Sequence, residues 1–366
     1  MERSDLGQLL LVGVPGTELD PETAAILRDV QPGGFILFGR NIKSPQQLRK
    51  LIDDLRDISQ LKPIITIDQE GGRVSRLRLL GEEPPNAQQF REKGDPKLIA
   101  WHGELTGDLL RLFGFNLDLC PVLDISFEDD ADNSLRGRCY GRSVPEVVRF
   151  AEEFNTALRE TGILSCGKHF PGYSCAKSDP HHDLPRIDRS RAELEAAELA
   201  VFRYFADHLD SMMVCHGWYP ALDPNRGPAS LSRRIVQNLL VGELGFKGLI
   251  MTDDLDMGAV TNEVPFEQVI TGAFEAGNHV AMICHRLQLA PEAIAALHRL
   301  SPHLVDPALE FVARFKTRLT LPDDFALERF EELNDQICEL RVATLGPERA
   351  AERSPEDGKR SPVEVY

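Results

Sequence analysis

Three of the ten histidines of this chain fall within one short stretch, KHFPGYSCAKSDPHHDLP, which begins at Lys168. It opens with Lys168 and His169 and later carries Asp179, His181 and His182. In an Asp-x-His arrangement the carboxylate can hydrogen-bond the imidazole, raise its proton affinity and fix its orientation. Such a histidine can act as a general acid near neutral pH. Imidazole and carboxylate also suit zinc, and the prolines suit an ordinary polar loop, so three interpretations stay open.

A pair of adjacent aspartates, Asp253 and Asp254, follows the apolar run GLIM in the segment GLIMTDDLDM. A carboxylate at the end of a rigid strand is fixed and partly shielded from water, which suits a nucleophile that attacks a bound substrate. Either aspartate could instead cap the amino terminus of the following helix. The residues alone leave both interpretations open.

Short apolar runs alternate with longer segments of helical periodicity along most of the chain. The runs are continuous rather than alternating, as expected for parallel strands buried on both faces. Eight such strand-then-helix units predict a (β/α)8 barrel, and no GxGxxG follows the first strand, which disfavours an open doubly wound sheet. The strand candidates are residues 8–14, 33–38, 63–68, 115–124, 162–170, 211–217, 248–254 and 279–285, and helix candidates include 145–162, 191–209 and 232–246.

Five consecutive predicted strands end in ionisable residues. In a barrel the carboxyl ends of all strands meet at one rim, where active sites form. We therefore expect these groups to lie around one site, although any single charged strand end could be an ordinary boundary residue. In chain order they are Asp68; Asp118 and Asp124, which lead into RGRCYGR; Lys168 and His169; His216; and Asp253 with Asp254.

The carboxyl-terminal part of the chain has a different pattern from the rest. Two plain helices are predicted at about 306–319 and 324–343, and the last segment is rich in Pro, Gly and mixed charge. Such a segment has too few large apolar residues to pack. We expect one catalytic barrel domain over 1–345, with a disordered, solvated tail over 346–366.

Composition excludes several classes of protein. The formal net charge of −17 argues against a nucleic-acid-binding surface, which needs a basic stripe. No segment approaches the roughly 18 consecutive apolar residues of a membrane helix, and the amino-terminal apolar run is too short for a signal peptide. The seven cysteines are odd in number and lack CxxC spacing. We expect buried free thiols, no metal, no cofactor and a cytoplasmic location.

Several motifs together resemble glycoside hydrolase family 3, especially its single-domain β-N-acetylglucosaminidases. They are IDQEGGRVSRLR, KHFPG with a downstream D-x-H, AxLS after a strand-end histidine, and LGFKGLIMTDDLDMGA, in this order between about residues 5 and 300. The resemblance implies that Asp253 is the catalytic nucleophile. It also implies that His181 is the acid/base and Asp179 its partner. The family fold implied for this region is a (β/α)8 barrel.

The same resemblance implies a set of residues that hold the sugar next to the scissile bond. No cofactor or metal is implied. The implied sugar-binding residues are Asp68, Arg76, Arg138, Lys168, His169 and His216.

The reaction that the resemblance implies is retaining hydrolysis of terminal β-linked N-acetylglucosamine, from peptidoglycan-derived muropeptides. Tyr173 and Ser174 after KHFPG, and His279 before the eighth strand, depart from the usual pattern and leave the exact substrate open. Alternatives are a phosphorylase or a β-glucosidase on the same site, and a non-catalytic sugar- or metal-binding barrel. We expect a small carbohydrate as partner and a monomer or weak dimer.

Overall fold

A closed barrel of eight parallel strands forms the centre of the part of the molecule that the structure describes. The structure is a computed structural model and describes residues 3–129, 134–174, 184–262 and 264–354. The strands are β1 Leu10–Gly13, β2 Gly34–Leu37, β3 Ile64–Ile67, β4 Leu117–Asp118, β5 Leu164–Phe170, β6 Ser211–Val214, β7 Leu249–Asp254 and β8 Val280–Ile283. Each pairs with its sequence neighbours, and β1 also pairs with β8. This confirms the predicted (β/α)8 barrel.

The apolar runs form strands because both of their faces are covered. All residues of β1, β2, β3, β5, β6 and β8 are buried. The predicted fourth strand, 115–124, is much shorter in the structure, since only Leu117–Asp118 form ladder pairs. Pro121 has no backbone N–H to donate, and beyond it only Val122 forms an isolated bridge, to Lys168.

Helices cover the outside of the barrel. Those that lie between barrel strands are α1 Pro21–Val30, α2 Pro45–Asp57, α3 Ala87–Lys93, α4 Pro96–Phe113, α5 Val144–Glu160, α6 Arg191–Ala196, α7 Glu198–Phe205, α8 Gly258–Thr261 and α9 Phe266–Ala276. The predicted helix over 191–209 is two helices, broken at Ala197 (φ −131°, ψ −94°). The predicted helix over 232–246 is a π-helical segment, Arg234–Glu243. A short hairpin, Gln69–Gly71 with Val74–Ser75, follows β3.

Three helices follow the last strand: α10 Ala290–Arg299, α11 Pro302–Lys316 and α12 Leu327–Leu345. The described residues 346–354 are mostly exposed, as a solvated segment would be, but they make specific polar contacts with the body of the protein. The buried Arg341 side chain donates to the backbone carbonyls of Ala350 and Glu352, and Ser354 donates to the Glu83 carboxylate. These polar contacts hold a segment with few apolar residues against the body. Residues 355–366 lie outside the described part.

Two expectations from composition concern thiols and membranes. The six described cysteines are free, and all but Cys338 are buried, as expected for thiols within apolar runs. In the described parts of the chain, no helix is both long enough and apolar enough to cross a bilayer.

Candidate active site

Lys168, near the end of β5, lies between two carboxylates at the carboxyl end of the barrel. Its Nζ is 2.6 Å from Asp68 Oδ1 and 2.6 Å from Glu70 Oε1. Asp68 directly follows β3, and Glu70 lies in the hairpin after it. Burial alone would lower the pKa of Lys168, but the two carboxylates outweigh it and raise that pKa, so the amine stays charged.

Arg138 and Arg76 complete this charged network. Arg138 donates from Nε to Glu70 Oε2 (2.8 Å) and from Nη2 to Glu70 Oε1 (2.7 Å), which is the strong bidentate arrangement. Arg76 Nη2 lies 3.5 Å from Asp68 Oδ2. Burial would raise the pKa of Glu70, but Arg138 and Lys168 hold it well below its usual range. The network is therefore ionised and fixed before any ligand arrives.

His169 is oriented by Asp124, the last residue of the predicted fourth strand. The His169 Nδ1 lies 2.7 Å from Asp124 Oδ2, and Nε2 lies 3.4 Å from Arg138 Nη2. A guanidinium can only donate, so Nε2 accepts and the proton is on Nδ1. The other Asp124 oxygen accepts the backbone N–H of Tyr173 at 2.8 Å.

Tyr173, one of the departures from the family pattern, packs against His169. Its ring meets the His169 ring edge-on, with 4.7 Å between centroids. Its hydroxyl lies 3.1 Å from Ser134 Oγ. Burial raises the pKa of the Tyr173 hydroxyl, and the positive charge of Arg138 opposes this only in part. Asp253, near the carboxyl end of β7, lies at the same rim of the barrel as the end of β5.

The two aspartates of TDDL have different surroundings. Asp253 is half-buried, and its Oδ1 accepts the backbone N–H of Asp254 at 2.8 Å. The Asp254 carboxyl is buried; its Oδ1 accepts the N–H groups of Cys284 and Asp256, each at 3.0 Å. Burial raises the pKa of the Asp254 carboxyl. Asp253 is thus the better placed of the two to meet a substrate.

Two polar strand ends lie inside the protein rather than facing a ligand. His216 is fully buried; its Nδ1 lies 2.7 Å from Ser230 Oγ, and its Nε2 lies 2.9 Å from the Asp254 carbonyl oxygen. We expected His216 to bind substrate, but these contacts direct both ring nitrogens to the protein. Asp118 is also fully buried, accepts the Gln69 N–H at 3.1 Å, and has its pKa raised well above the usual value by burial.

The structure brings together five of the expected sugar-binding residues, and it leaves the acid/base pair undescribed. Asp179 and His181 lie outside the described residues, so their predicted roles stay predictions. Asp124 was expected at this rim as a strand-end residue but was given no role, and Glu70 was not predicted as a site residue. Glu70 stands inside the motif DQEGGR, which is a signal that could have indicated it. The five residues brought together are Asp68, Arg76, Arg138, Lys168 and His169.

No metal centre is evident in the described ranges, where no group of three or more His, Cys, Asp or Glu side chains converges as an ion requires. Among the described side chains of the barrel mouth, Asp68 and Glu70 are instead paired with Lys168, Arg76 and Arg138. A half-buried carboxylate at the end of β7 and a set of fixed charged side chains thus share the carboxyl end of a (β/α)8 barrel, where active sites of this fold form.

Comparison with known proteins identifies the family. The glycosyl hydrolase family 3 N-terminal domain matches residues 1–315. A protein named beta-hexosaminidase from Alkalilimnicola ehrlichii is 35% identical over 305 residues, covering 81% of this chain and 84% of the relative. One from Pseudomonas aeruginosa is 34% identical over 294 residues, covering 80% of this chain and 86% of the relative. The chain belongs to glycosyl hydrolase family 3 and is a glycoside hydrolase.

Solved structures agree with this assignment. A family 3 β-N-acetylglucosaminidase from Paenibacillus sp. is 30% identical with a TM-score of 0.83, covering 93% of this chain and 68% of that one. NagZ from Neisseria gonorrhoeae, solved in complex with N-trifluoroacetyl-D-glucosamine, is 27% identical with a TM-score of 0.79. That match covers 91% of this chain and 97% of the other.

Proposed function

We propose that this glycoside hydrolase of the β-N-acetylhexosaminidase type removes terminal β-linked N-acetylglucosamine with retention of configuration. The observation that carries the proposal is the position of Lys168, ion-paired to Asp68 and Glu70 in the barrel mouth that also holds Asp253. The names of the relatives support the hexosaminide preference. We further propose that the natural substrate is a muropeptide derived from peptidoglycan.

In the first step, Asp253 attacks the anomeric carbon and forms a covalent glycosyl-enzyme, while the bond to the leaving oxygen breaks. Oδ1 of Asp253 is held by the Asp254 N–H, so we assign the attack to the other oxygen. His181, paired with Asp179, donates its proton to the leaving oxygen. Retaining glycosidases usually employ a second carboxylate in this role.

In the second step, neutral His181 takes a proton from water, and the hydroxide oxygen bonds to the anomeric carbon as the bond to Asp253 breaks. Lys168, Arg138 and Asp68 hold the sugar hydroxyls meanwhile. Because their ion pairs fix these side chains in advance, little orientation entropy remains to be lost when the sugar binds. A phosphorylase would differ only in using phosphate where water attacks.

We place the reaction in the cytoplasm. The six described cysteines are free thiols, five of them buried, which accords with a reducing compartment. A cytoplasmic muropeptide fragment is a substrate consistent with that location. Fractionation of cells that express the native chain, with activity assayed in each fraction, checks it.

Turnover of matched aryl β-N-acetylglucosaminide and aryl β-glucoside tests the substrate class. The N-acetyl substrate should be preferred, and equal kcat/KM for the two would contradict the proposal. Assays with and without phosphate, with a search for sugar 1-phosphate, separate hydrolysis from phosphorolysis.

Variants test the two catalytic roles. Asp253→Ala should nearly abolish turnover of both activated and unactivated glycosides. His181→Ala should lose about 10²–10⁴-fold with a leaving group that needs a proton, and much less with a highly acidic phenol. Intact activity in both variants would overturn the assignment.

A further inference from the structure

The backbone of Asp254 contacts the proposed nucleophile, Asp253. The backbone carbonyl and the carboxyl group of Asp254 each contact other residues. Its N–H donates to Asp253 Oδ1 (2.8 Å), and its carbonyl accepts from His216 Nε2 (2.9 Å). Its carboxyl oxygen Oδ1 accepts two backbone N–H groups, and Oδ2 lies 3.4 Å from His285 Nε2. The direction of the Asp253 carboxylate therefore depends on how firmly Asp254 is fixed.

His285, just beyond β8, is held from several sides. Its N–H donates to Asp256 Oδ2 at 2.8 Å, and its ring stacks on Phe38 with 5.2 Å between centroids. Arg40 Nη1 lies 3.0 Å from His285 Nδ1. A guanidinium has no acceptor, so Nδ1 accepts and the proton of the neutral ring lies on Nε2, directed at the Asp254 carboxyl.

Arg40 is itself fixed by carbonyls from two other strand ends. Its Nε donates to the Val14 carbonyl oxygen at 3.0 Å and its Nη2 to that of Cys284, while its guanidinium lies 4.4 Å from the centre of the Phe38 ring. The side chains of His285 and Asp254 are only 11% and 12% exposed, so little water competes for these contacts. The chain of contacts connects the ends of β1, β2, β7 and β8.

We propose that Arg40 and His285 are a positioning pair that fixes the nucleophile Asp253 through Asp254. This inference rests on the proposed function, because it concerns the attack step of that reaction. The pair touches neither sugar nor leaving group in our assignment. Its effect is on the angle at which the Asp253 oxygen meets the anomeric carbon, where small displacements are costly.

Two substitutions at His285 distinguish the effect of its hydrogen bond to Asp254 from the effect of its ring packing on Phe38. His285→Phe keeps a ring that can stack on Phe38 but removes both nitrogens. His285→Gln places an amide N–H at about the reach of Nε2 and can still donate to Asp254. Each variant is incubated with a fluorinated mechanism-based N-acetylglucosaminide, and the first-order rate constant of covalent labelling is measured apart from the reagent's dissociation constant.

The same His→Phe change at the opposite end of β8 provides a matched control. His279 stacks on Phe311, with 4.0 Å between centroids, and accepts the Ile250 N–H at 3.0 Å. His279→Phe should label at the wild-type rate even if its melting temperature falls. If His285→Phe does not fold, Arg40→Lys replaces it, since a single ammonium cannot contact Val14, Cys284 and His285 together.

The expected result is a labelling rate constant about 10- to 100-fold lower in His285→Phe, with the dissociation constant within about threefold of wild type. His285→Gln should recover most of the rate. Wild-type labelling by His285→Phe, equal loss in both variants, or a change confined to the dissociation constant would overturn the proposal. A wild-type enzyme that is never labelled would instead contradict the proposed function.

Discussion

At the scale of single residues, the barrel mouth is organised by compensated charge. Lys168 and Arg138 share Glu70, and Lys168 and Arg76 share Asp68, all of them mostly buried. Buried charges are tolerated only when they are paired. Removing one partner leaves the other charge buried and uncompensated, which destabilises the folded protein. A neutral sugar can enter such a network without changing its charge balance.

Glu70→Gln should therefore lower both stability and activity. The amide keeps the shape but cannot balance Lys168 and Arg138, so we expect a loss of about 1–3 kcal/mol in the free energy of unfolding. We also expect kcat/KM to fall at least tenfold, measured with an aryl N-acetylglucosaminide alongside urea unfolding.

Glu195→Gln is the control for that change. Glu195 also contacts two arginines, but at the surface, where such pairs contribute at most about 1 kcal/mol. A Glu70→Gln enzyme as stable and active as the Glu195→Gln enzyme would show that the Glu70 carboxylate is dispensable.

At the scale of elements, the strand positions and their polar ends could be predicted from the sequence. Which of the polar side chains form ion pairs with one another could not. The runs that became β3, β5 and β7 carried Asp68, Lys168 and Asp253 to one rim, as predicted. Whether Lys168 meets Glu70 depends on packing between segments about a hundred residues apart, which no local pattern encodes.

Element boundaries also depended on local features that only the three-dimensional context reveals. The ladder of the fourth strand ends at Asp118, shortly before Pro121, which cannot donate to a ladder. The chain beyond 345 was expected to be solvated because it is polar, and its described residues 346–354 are mostly exposed. In the structure, Arg341 and Glu83 supply partners that a polar segment can bind.

Truncation measures what that carboxyl-terminal segment contributes. A chain that ends at Gly346 loses the Arg341, Glu83 and Gly81 contacts made by residues 350–354, whereas one that ends at Ser354 keeps them. We expect the shorter chain to be less stable by about 1–3 kcal/mol in urea unfolding, with kcat/KM little changed. Equal unfolding midpoints would mean that these contacts contribute nothing.

At the scale of the whole molecule, the amino- and carboxyl-terminal segments are joined at a buried lysine. Lys316 on α11 donates to Gln8 Oε1 at 2.5 Å, and only 6% of Lys316 is exposed. Burial lowers the pKa of Lys316 to about 7. Between that pKa and the usual value near 10.5, the unfolded chain binds more protons at this site than the folded protein.

The contribution of Lys316 to stability should therefore rise with pH above about 7. The free energy of unfolding of wild type minus that of Lys316→Met should increase by up to about 1.4 kcal/mol per pH unit between pH 7 and 10. Guanidinium unfolding at several pH values checks this. The same difference taken with Lys247→Met, whose side chain is 85% exposed, should stay flat; a flat Lys316 difference would contradict the lowered pKa.

The central claim is that Asp253, and not its neighbour, bonds to the sugar. Mass spectrometry after incubation with a fluorinated mechanism-based N-acetylglucosaminide, followed by peptide sequencing, tests it directly. We predict one covalent sugar per chain, carried by Asp253 and absent from Asp253→Ala. A sugar mapped to Asp254 or to any other residue, or steady turnover of ordinary substrate by Asp253→Ala, would contradict it.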